Sequence, residues 1–247
     1  MKKNPAMRIA LLLSALMLFN LKLLHAQEND PIYTVGVNAG TFIYQGDLAP
    51  SALGSFKTPR FAFGFNAGRS LSHVMSARID MSFGSLSGDD QKYPVDPWRP
   101  KRNFKFSSSV SELTAALVYN PIGTERFIDP YFYVAAGYSY VNIKRDYSQF
   151  DAEYFGGDPL VAGLKKDLGQ PLPKVIPITT LGVGLVHPLS KRIGITGEAS
   201  YRLMSTDYLD GFSRSANPNQ MDHYYKFAIG LQYRFFNTFS YDCPTIF

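Results

Sequence analysis

Residues 224–235 read YYKFAIGLQYRF, and large apolar side chains alternate with small or polar ones along the whole stretch. Because successive side chains of a β-strand point to opposite faces, this period of two predicts a strand with one apolar and one mixed face. The apolar face carries Tyr225, Phe227, Ile229, Leu231, Tyr233 and Phe235, and the mixed face carries Tyr224, Lys226, Ala228, Gly230, Gln232 and Arg234.

Seven earlier segments repeat this alternation, at residues 33–44, 61–68, 77–84, 112–120, 131–140, 180–186 and 193–203. The connections 71–75, 120–129 and 188–192 are short, whereas 46–58, 88–103, 143–174 and 205–222 are longer and polar. Short turns at one end and long loops at the other are typical of small outer-membrane barrels, whose long loops face outward. The sequence therefore predicts an all-β fold, an eight-stranded antiparallel up-and-down transmembrane β-barrel with almost no helix.

A soluble lipocalin-like barrel or a β-sandwich is the alternative, because either would also show alternation. A soluble surface would carry many Lys and Glu side chains, whereas the mixed face here is rich in Gly, Ser, Thr and Asn. We expect the few charges on that face to pair inside the barrel and to form a structural plug that admits nothing larger than water or protons. These lumen charges are Arg78, Asp80, Glu112, Glu198, Arg202, Lys226 and Arg234.

The N-terminus is typical of a secretory signal peptide. Lys2, Lys3 and Arg8 precede an apolar run over residues 9–19, and Ala26 offers a cleavage site before Gln27. A retained transmembrane helix is the alternative, but the run is shorter than the roughly 20 apolar residues that a span needs. The predicted organisation is a cleaved signal peptide at 1–26, an outer-membrane barrel at 27–236 and a periplasmic tail at 237–247.

The net charge and the aromatic content of the chain indicate which partners it could bind. The chain has 25 Lys+Arg and 20 Asp+Glu, but four of the basic residues lie in the signal peptide, so the mature chain is nearly neutral. A nucleic-acid partner is therefore not expected. Membrane lipid is the expected partner of the outer face, since 16 Tyr and 19 Phe would supply the aromatic girdles of a barrel.

The tail is a candidate contact for a periplasmic protein, because it is apolar for an exposed segment. Its relevant residues are Phe239, Tyr241, Cys243 and Phe247. Cys243 is the only cysteine, which excludes an internal disulfide and a cysteine zinc site. It is either a thiol without a role or the site of a disulfide to a partner, which an oxidising compartment would permit.

Candidate chemistry at the loop end is sparse. His223 enters a strand from the last loop, and Asp207 or Asp210 could pair with it, but no nucleophile motif accompanies them. Asp89, Asp90 and Asp96 lack the ordered spacing of a calcium loop. We therefore expect a structural histidine, a solvated acidic loop, no cofactor, no small-molecule substrate and no enzymatic activity.

Four stretches in the same order resemble the motifs of one family. They are Tyr44-Gln45-Gly46-Asp47-Leu48; Ser87-Gly88-Asp89-Asp90 with Arg102-Asn103-Phe104-Lys105-Phe106; Asp129-Pro130-Tyr131 with Ala135-Ala136-Gly137; and Tyr201-Arg202 with Thr206-Asp207-Tyr208-Leu209-Asp210. The family is that of small outer-membrane barrels of Bacteroidota, which includes the PorG-type component of the type IX secretion machinery. Two positions depart from its pattern, since Ala135 replaces a glycine and Gly211 stands where a second acid is frequent.

The resemblance implies a location in the outer membrane of a Gram-negative, Bacteroidota-like cell. It also implies a structural or assembly role in a type IX-like protein secretion machine, with a periplasmic partner such as a secretion ring or a lipoprotein. The family also contains paralogues of unknown role, so a surface enzyme and a general envelope-integrity barrel stay open as alternatives.

Overall fold

The computed structural model describes residues 32–49, 54–94, 96–122, 127–216 and 221–235. Within them, eight strands form one closed barrel in which each strand pairs antiparallel with the next and β8 closes on β1. The strands are Tyr33–Gln45 (β1), Arg60–Ser70 (β2), Met75–Asp89 (β3), Lys105–Tyr119 (β4), Asp129–Asp146 (β5), Val175–Pro188 (β6), Ile193–Met204 (β7) and His223–Phe235 (β8). The predicted eight-stranded antiparallel up-and-down barrel is confirmed.

The connections define two ends of the barrel. The turn end carries three turns at 71–74, 120–128 and 189–192, and the loop end carries loops L1 (46–59), L2 (90–104), L3 (147–174) and L4 (205–222). Residues 1–31 and 236–247, which include the predicted signal peptide and tail, lie outside the described residues.

The loops contain more helix than the sequence predicted. In the described part of the chain, α-helices occur at Arg99–Arg102, Ala152–Phe155 and Pro159–Gly169. The last begins where the Asp158 carboxylate accepts a hydrogen bond from the backbone N–H of Leu160, with proline at the first position, which is a favourable helix start. No described helix is long and apolar enough to cross a membrane.

The outside of the barrel carries a belt of exposed apolar side chains. Ile229 on β8 is 72% exposed. Each of the other seven strands also carries exposed apolar residues on its outer face, including Val37, Phe65, Ile79, Leu117, Val134, Leu181 and Ile195. Exposed aromatic residues flank the belt, with Tyr33, Tyr119, Phe132 and Phe235 toward the turn end and Phe61 and Tyr140 toward the loop end. An apolar band between aromatic girdles is the surface of an outer-membrane barrel.

Strands β4 and β5 extend further toward the loop end than the sequence predicted. The prediction started β4 at Glu112 and assigned residues 143–146 to a loop, whereas β4 begins at Lys105 and β5 ends at Asp146. Outward residues of this extension, such as Ser107 and Ser109, are exposed and polar, so the apolar alternation is absent there. The extension is stabilised on its inner face, which buries apolar side chains of the core described next.

The interior differs between the two ends. At the loop end, side chains of strands and loops form a buried apolar core that includes Phe42, Leu48, Leu86, Phe104, Val110, Ile143, Leu164, Ile176, Leu209 and Phe212. The rings of Phe104 and Phe212 stack at 4.2 Å and join L2 to L4. At the turn end, a cavity of about 100 Å³ has a mixed lining, which includes the polar residues Asn66, Arg78, Glu198, Gln232 and Arg234 and the apolar residues Val118, Val186 and Leu231. The prediction of a polar lumen therefore holds for the turn half of the barrel, whereas an apolar core fills the loop half.

Candidate functional site

The lumen charges of the turn half lie in short ion pairs. Arg78 Nε lies 2.9 Å from Asp80 Oδ1, and Arg78 Nη1 lies 2.6 Å from Glu198 Oε1. Arg234 Nη2 lies 3.5 Å from Asp129 Oδ2, an acid that the alternation did not single out because it starts a strand. These contacts join β3 to β7 and β5 to β8 across the lumen.

The remaining lumen charges lie deeper, beneath the apolar core. Arg202 Nε lies 3.2 Å from Glu112 Oε1, and both side chains are almost fully buried. The Tyr224 hydroxyl also donates to Glu112, and Lys226 Nζ donates to Ser82 Oγ at 2.9 Å. Each of the seven predicted lumen residues therefore contacts a polar partner, and for all except Asp80 that partner lies on another strand. This is the arrangement of a structural network.

Loop L2 is held by a buried carboxylate, Asp90. Its Oδ2 atom accepts from Arg102 Nε at 2.7 Å, and its Oδ1 atom accepts from Arg102 Nη2 at 2.8 Å and Arg99 Nη1 at 3.2 Å. The expectation of a solvated acidic loop is therefore wrong for Asp90, because two guanidinium groups satisfy its charge away from water. Asn103 follows in the left-handed region at φ 48°, which asparagine adopts more readily than most residues, and it ends the helix.

Loop L4 is held by three fully buried groups that we call the carboxyl cluster, namely Tyr44, Asp210 and Asp222. The Tyr44 hydroxyl lies 2.8 Å from Asp210 Oδ2 and 2.6 Å from Asp222 Oδ1. The second oxygen of Asp222 accepts the backbone N–H of Leu209 at 2.9 Å. The cluster joins the end of β1 to both ends of L4.

Two glycines are required by this geometry. A Cβ atom on Gly46 would lie 2.0 Å from Asp222 Oδ1 and 2.1 Å from the Tyr44 hydroxyl, so only glycine leaves room for their hydrogen bond. Gly211 has φ +86°, a conformation that side chains rarely adopt, and its carbonyl oxygen accepts from Arg145 Nη1 at 3.1 Å. Gly211, which stands where the family frequently has an acid, therefore allows the left-handed backbone conformation at this position.

Loop L3 is fastened to L4 through Asp167, on the helix Pro159–Gly169. Its carboxylate accepts from the hydroxyl of Tyr208 at 3.2 Å, and from the backbone N–H at 2.9 Å and the hydroxyl at 2.6 Å of Ser215. The sequence did not single out Asp167, because a helical acid in a loop has no distinguishing pattern. Arg102 Nη2 reaches the Asp47 carbonyl oxygen of L1, and the Phe104–Phe212 ring stack joins L2 to L4, so that with the Asp167 contacts the four loops form one cap.

Burial raises the pKa of Asp210 and Asp222 well above the usual range. The charge of Asp222 raises the pKa of Asp210 further, and the charge of Asp47 acts in the same direction on both. Burial and the charge of Asp167 raise the pKa of Asp207 to about 6. The cap therefore gathers carboxyl groups in a poorly solvated layer.

The residues of the Y-x-G-D-L and T-D-Y-L-D stretches meet in this cap. Besides the residues described above, the Thr206 carbonyl oxygen accepts from the backbone N–H of Asp222 at 3.2 Å, and its Oγ1 accepts from the N–H of Tyr208. Leu209 is fully buried in the apolar core, and its carbonyl oxygen accepts from Ser108 Oγ at 3.0 Å. The stretches that carry the resemblance thus build one structural unit.

His223 has other neighbours than the acids considered in the sequence. Its Nδ1 atom accepts from the backbone N–H of Met204 at 3.3 Å, and its ring packs against Tyr201 with centroids 5.4 Å apart. The Asp210 carboxylate binds the Tyr44 hydroxyl and the backbone N–H of Phe212. In the described part of the chain, no group of three His, Cys, Asp or Glu side chains is arranged to hold a metal ion.

Gly46→Ala should weaken the hold of L4. The added methyl group displaces Tyr44 or Asp222, and an unsatisfied buried polar group costs about 1–3 kcal/mol. We expect faster tryptic cleavage at Arg214 of the folded protein in detergent. Gly157→Ala is the matched control, since no atom lies within 4 Å of its added Cβ. Equal cleavage rates for the two variants would contradict this role of Gly46.

Solved structures similar to this chain include Ail of Yersinia pestis (TM-score 0.47, 11% identity, covering 84% of this chain and 100% of that one). They also include a major outer membrane protein of Thermus thermophilus (0.47, 14%, 84% and 100%) and OprG of Pseudomonas aeruginosa (0.41, 11%, 84% and 96%). A comparison with curated proteins gives no significant match. A family model described as a domain of unknown function, DUF6089, matches residues 10–241, and the chain therefore belongs to the DUF6089 family.

Proposed function

We propose that this protein is a non-enzymatic barrel of the cell outer membrane that serves as a structural or assembly component of a type IX-like protein secretion machine. The loop end faces outward and the turn end faces the periplasm. The observation that carries the structural role is the sealed loop end, in which loops and strands share one apolar core. A pore needs a continuous polar path, and a surface enzyme needs reactive groups within reach of a substrate.

The location is supported by the outer surface of the barrel. Its exposed apolar belt is far larger than the patches that soluble monomers show. Water would disfavour such a belt, whereas the hydrocarbon of a membrane accommodates it, and closure of the barrel satisfies the backbone hydrogen bonds of all eight strands.

A periplasmic protein partner is supported by the turn end. The turns at 71–74 and 189–192 have the same hydrogen-bond pattern. In each, the backbone N–H of the leucine donates to the carbonyl oxygen four residues later, and the Oγ of the next residue, a serine, accepts from a backbone N–H at the end of the turn. Each turn presents an exposed leucine, Leu71 or Leu189, and Phe127 on the third turn is 76% exposed. By sequence the three turns hold Arg126, Lys191 and Arg192 and one acid, Glu125, so their net charge is positive. A secretion ring or lipoprotein with an apolar, acidic surface would fit this end.

Fractionation tests the location. The protein should co-sediment with outer-membrane markers and migrate differently on SDS gels with and without heating, because closed barrels resist SDS when cold. Sequencing of the mature N-terminus should begin at Gln27. Recovery in the soluble periplasmic fraction would reject the membrane barrel.

Deletion of the gene tests the secretion role. Release of secreted cargo should stop while the envelope stays impermeable to large antibiotics. The double variant Leu71→Asp/Leu189→Asp should reproduce the secretion defect at normal barrel levels, because charged side chains disrupt an apolar contact. Phe56→Asp, which changes a similarly exposed side chain of L1, is the control. A leaky envelope with normal secretion would instead indicate an envelope-integrity barrel, and loss of a surface hydrolase activity would indicate an enzyme.

A further inference from the structure

If both acids are ionised, the carboxyl cluster contains one hydrogen atom for two hydrogen-bond contacts. A tyrosine hydroxyl has a single hydrogen to donate, yet the Tyr44 hydroxyl lies within hydrogen-bond distance of an oxygen of Asp210 and an oxygen of Asp222. One contact is a bond donated by Tyr44. The other is attractive only if the second carboxyl group carries a proton and donates it to the Tyr44 oxygen.

Within the part of the chain that the structure describes, no cation pairs with Asp210 or Asp222. Asp47 and Asp207 add negative charge near Asp222. Arg102 binds Asp90 and reaches the carbonyl oxygen of Asp47 at 3.5 Å, while Arg145 binds the carbonyl oxygens of Asp167 and Gly211. His223 accepts the N–H of Met204. Among the described residues, neither Asp210 nor Asp222 forms an ion pair.

We propose that one proton shared between Asp210 and Asp222 through Tyr44 fastens L4 over the loop end, and that loss of this proton as the pH rises releases L4. L4 carries Leu209 and Phe212, which complete the apolar core, so its release uncovers the interior. This inference concerns the closure of the cap and is independent of the secretion role.

The expected pH dependence has a definite sign. Both carboxyl groups have a raised pKa in the closed cap because of burial and neighbouring negative charge. Once L4 opens, they return to an ordinary pKa of about 4 and release the proton. The closed cap is therefore fully favoured at acidic pH and loses stability as pH rises toward the raised pKa. For one proton released, the opening equilibrium rises about tenfold per pH unit.

The lone native cysteine permits a direct test on purified protein in detergent. In a Cys243→Ser background, Ser108→Cys places a thiol on β4 beneath L4, where the Ser108 side chain is fully buried against Leu209. Ser109→Cys places a matched thiol on the exposed outer face of the same strand. Both variants are labelled with a water-soluble thiol reagent, and the rate at position 108 is divided by the rate at position 109. This ratio cancels the pH dependence of thiol reactivity itself.

We expect this ratio to rise about tenfold per pH unit between the ordinary carboxyl pKa of about 4 and the raised pKa of the closed cap. Asp210→Asn and Asp222→Asn each substitute an amide N–H for the shared proton, so in either variant the ratio should become independent of pH and stay low. The cold-gel mobility shift shows that each variant is folded. A flat ratio when Asp210 and Asp222 are both retained, or an unchanged slope in both amide variants, would overturn the proposal.

Discussion

Asp90→Ala is expected to detach L2 from the loop end while leaving the barrel closed. Asp90 is fully buried and receives hydrogen bonds from Arg102, Arg99 and the backbone N–H of Phe104. Removing it leaves the buried guanidinium of Arg102, which cannot lose its proton, without a carboxylate partner, whereas Arg99 keeps its pair with Asp96 at 3.1 Å. Breaking a buried ion pair by deleting one partner costs about 3–5 kcal/mol, which is enough to favour an open L2.

Trp98 reports this change without labelling. It is the only tryptophan in the chain, and its ring lies about 5 Å from the guanidinium carbons of both Arg99 and Arg102. We expect Asp90→Ala to shift its emission to the red and to increase quenching by acrylamide. Asp151→Ala is the matched control, since Asp151 forms a solvent-exposed pair with Lys101 at 3.2 Å, and exposed pairs contribute little to stability. Identical spectra for the two variants would show that Asp90 does not hold L2.

The barrel itself was predictable because lipid and lumen impose a simple alternation. In the stretch from Phe227 to Phe235, each outward residue is apolar and each inward residue is small or polar, and no other period fits. The same rule fails where the strands leave the lipid. Ser107 and Ser109 break the apolar alternation, so the start of β4 at Lys105 could not be read from it.

The cap was not predictable from spacing, because its contacts join residues far apart in the chain. Tyr44 meets Asp210 and Asp222 because closure of the barrel pairs Tyr44 with Tyr224, two residues after Asp222. An acid in a polar loop gives the same sequence signal whether it is solvated or buried, and this explains the error at Asp90. The motif residues Arg102 and Asp210 were identified through the resemblance, whereas Asp222 and Asp167 were not.

Glu112→Ala is expected to destabilise the whole barrel rather than one loop. Glu112 lies beneath the apolar core, where it pairs with Arg202 and accepts from the Tyr224 hydroxyl. Since Arg202 is almost fully buried and stays charged, loss of its carboxylate leaves an uncompensated cation in the lumen. We expect the free energy of unfolding to fall by about 3–5 kcal/mol. Unfolding by urea in detergent, followed by the mobility of the unheated protein on SDS gels, should then reach its midpoint at a lower urea concentration.

A double variant separates the ion pair from simple packing. In Glu112→Ala/Arg202→Met the unpaired cation is gone, and a hydrophobic replacement of a buried pair is often neutral or stabilising. The double variant should therefore recover most of the stability that the single variant loses. If both variants lose the same stability, the deleted volume of Glu112 and not the charge of Arg202 explains the effect. Recovery would show that Glu112 stabilises the barrel chiefly by neutralising Arg202 across the lumen between β4 and β7.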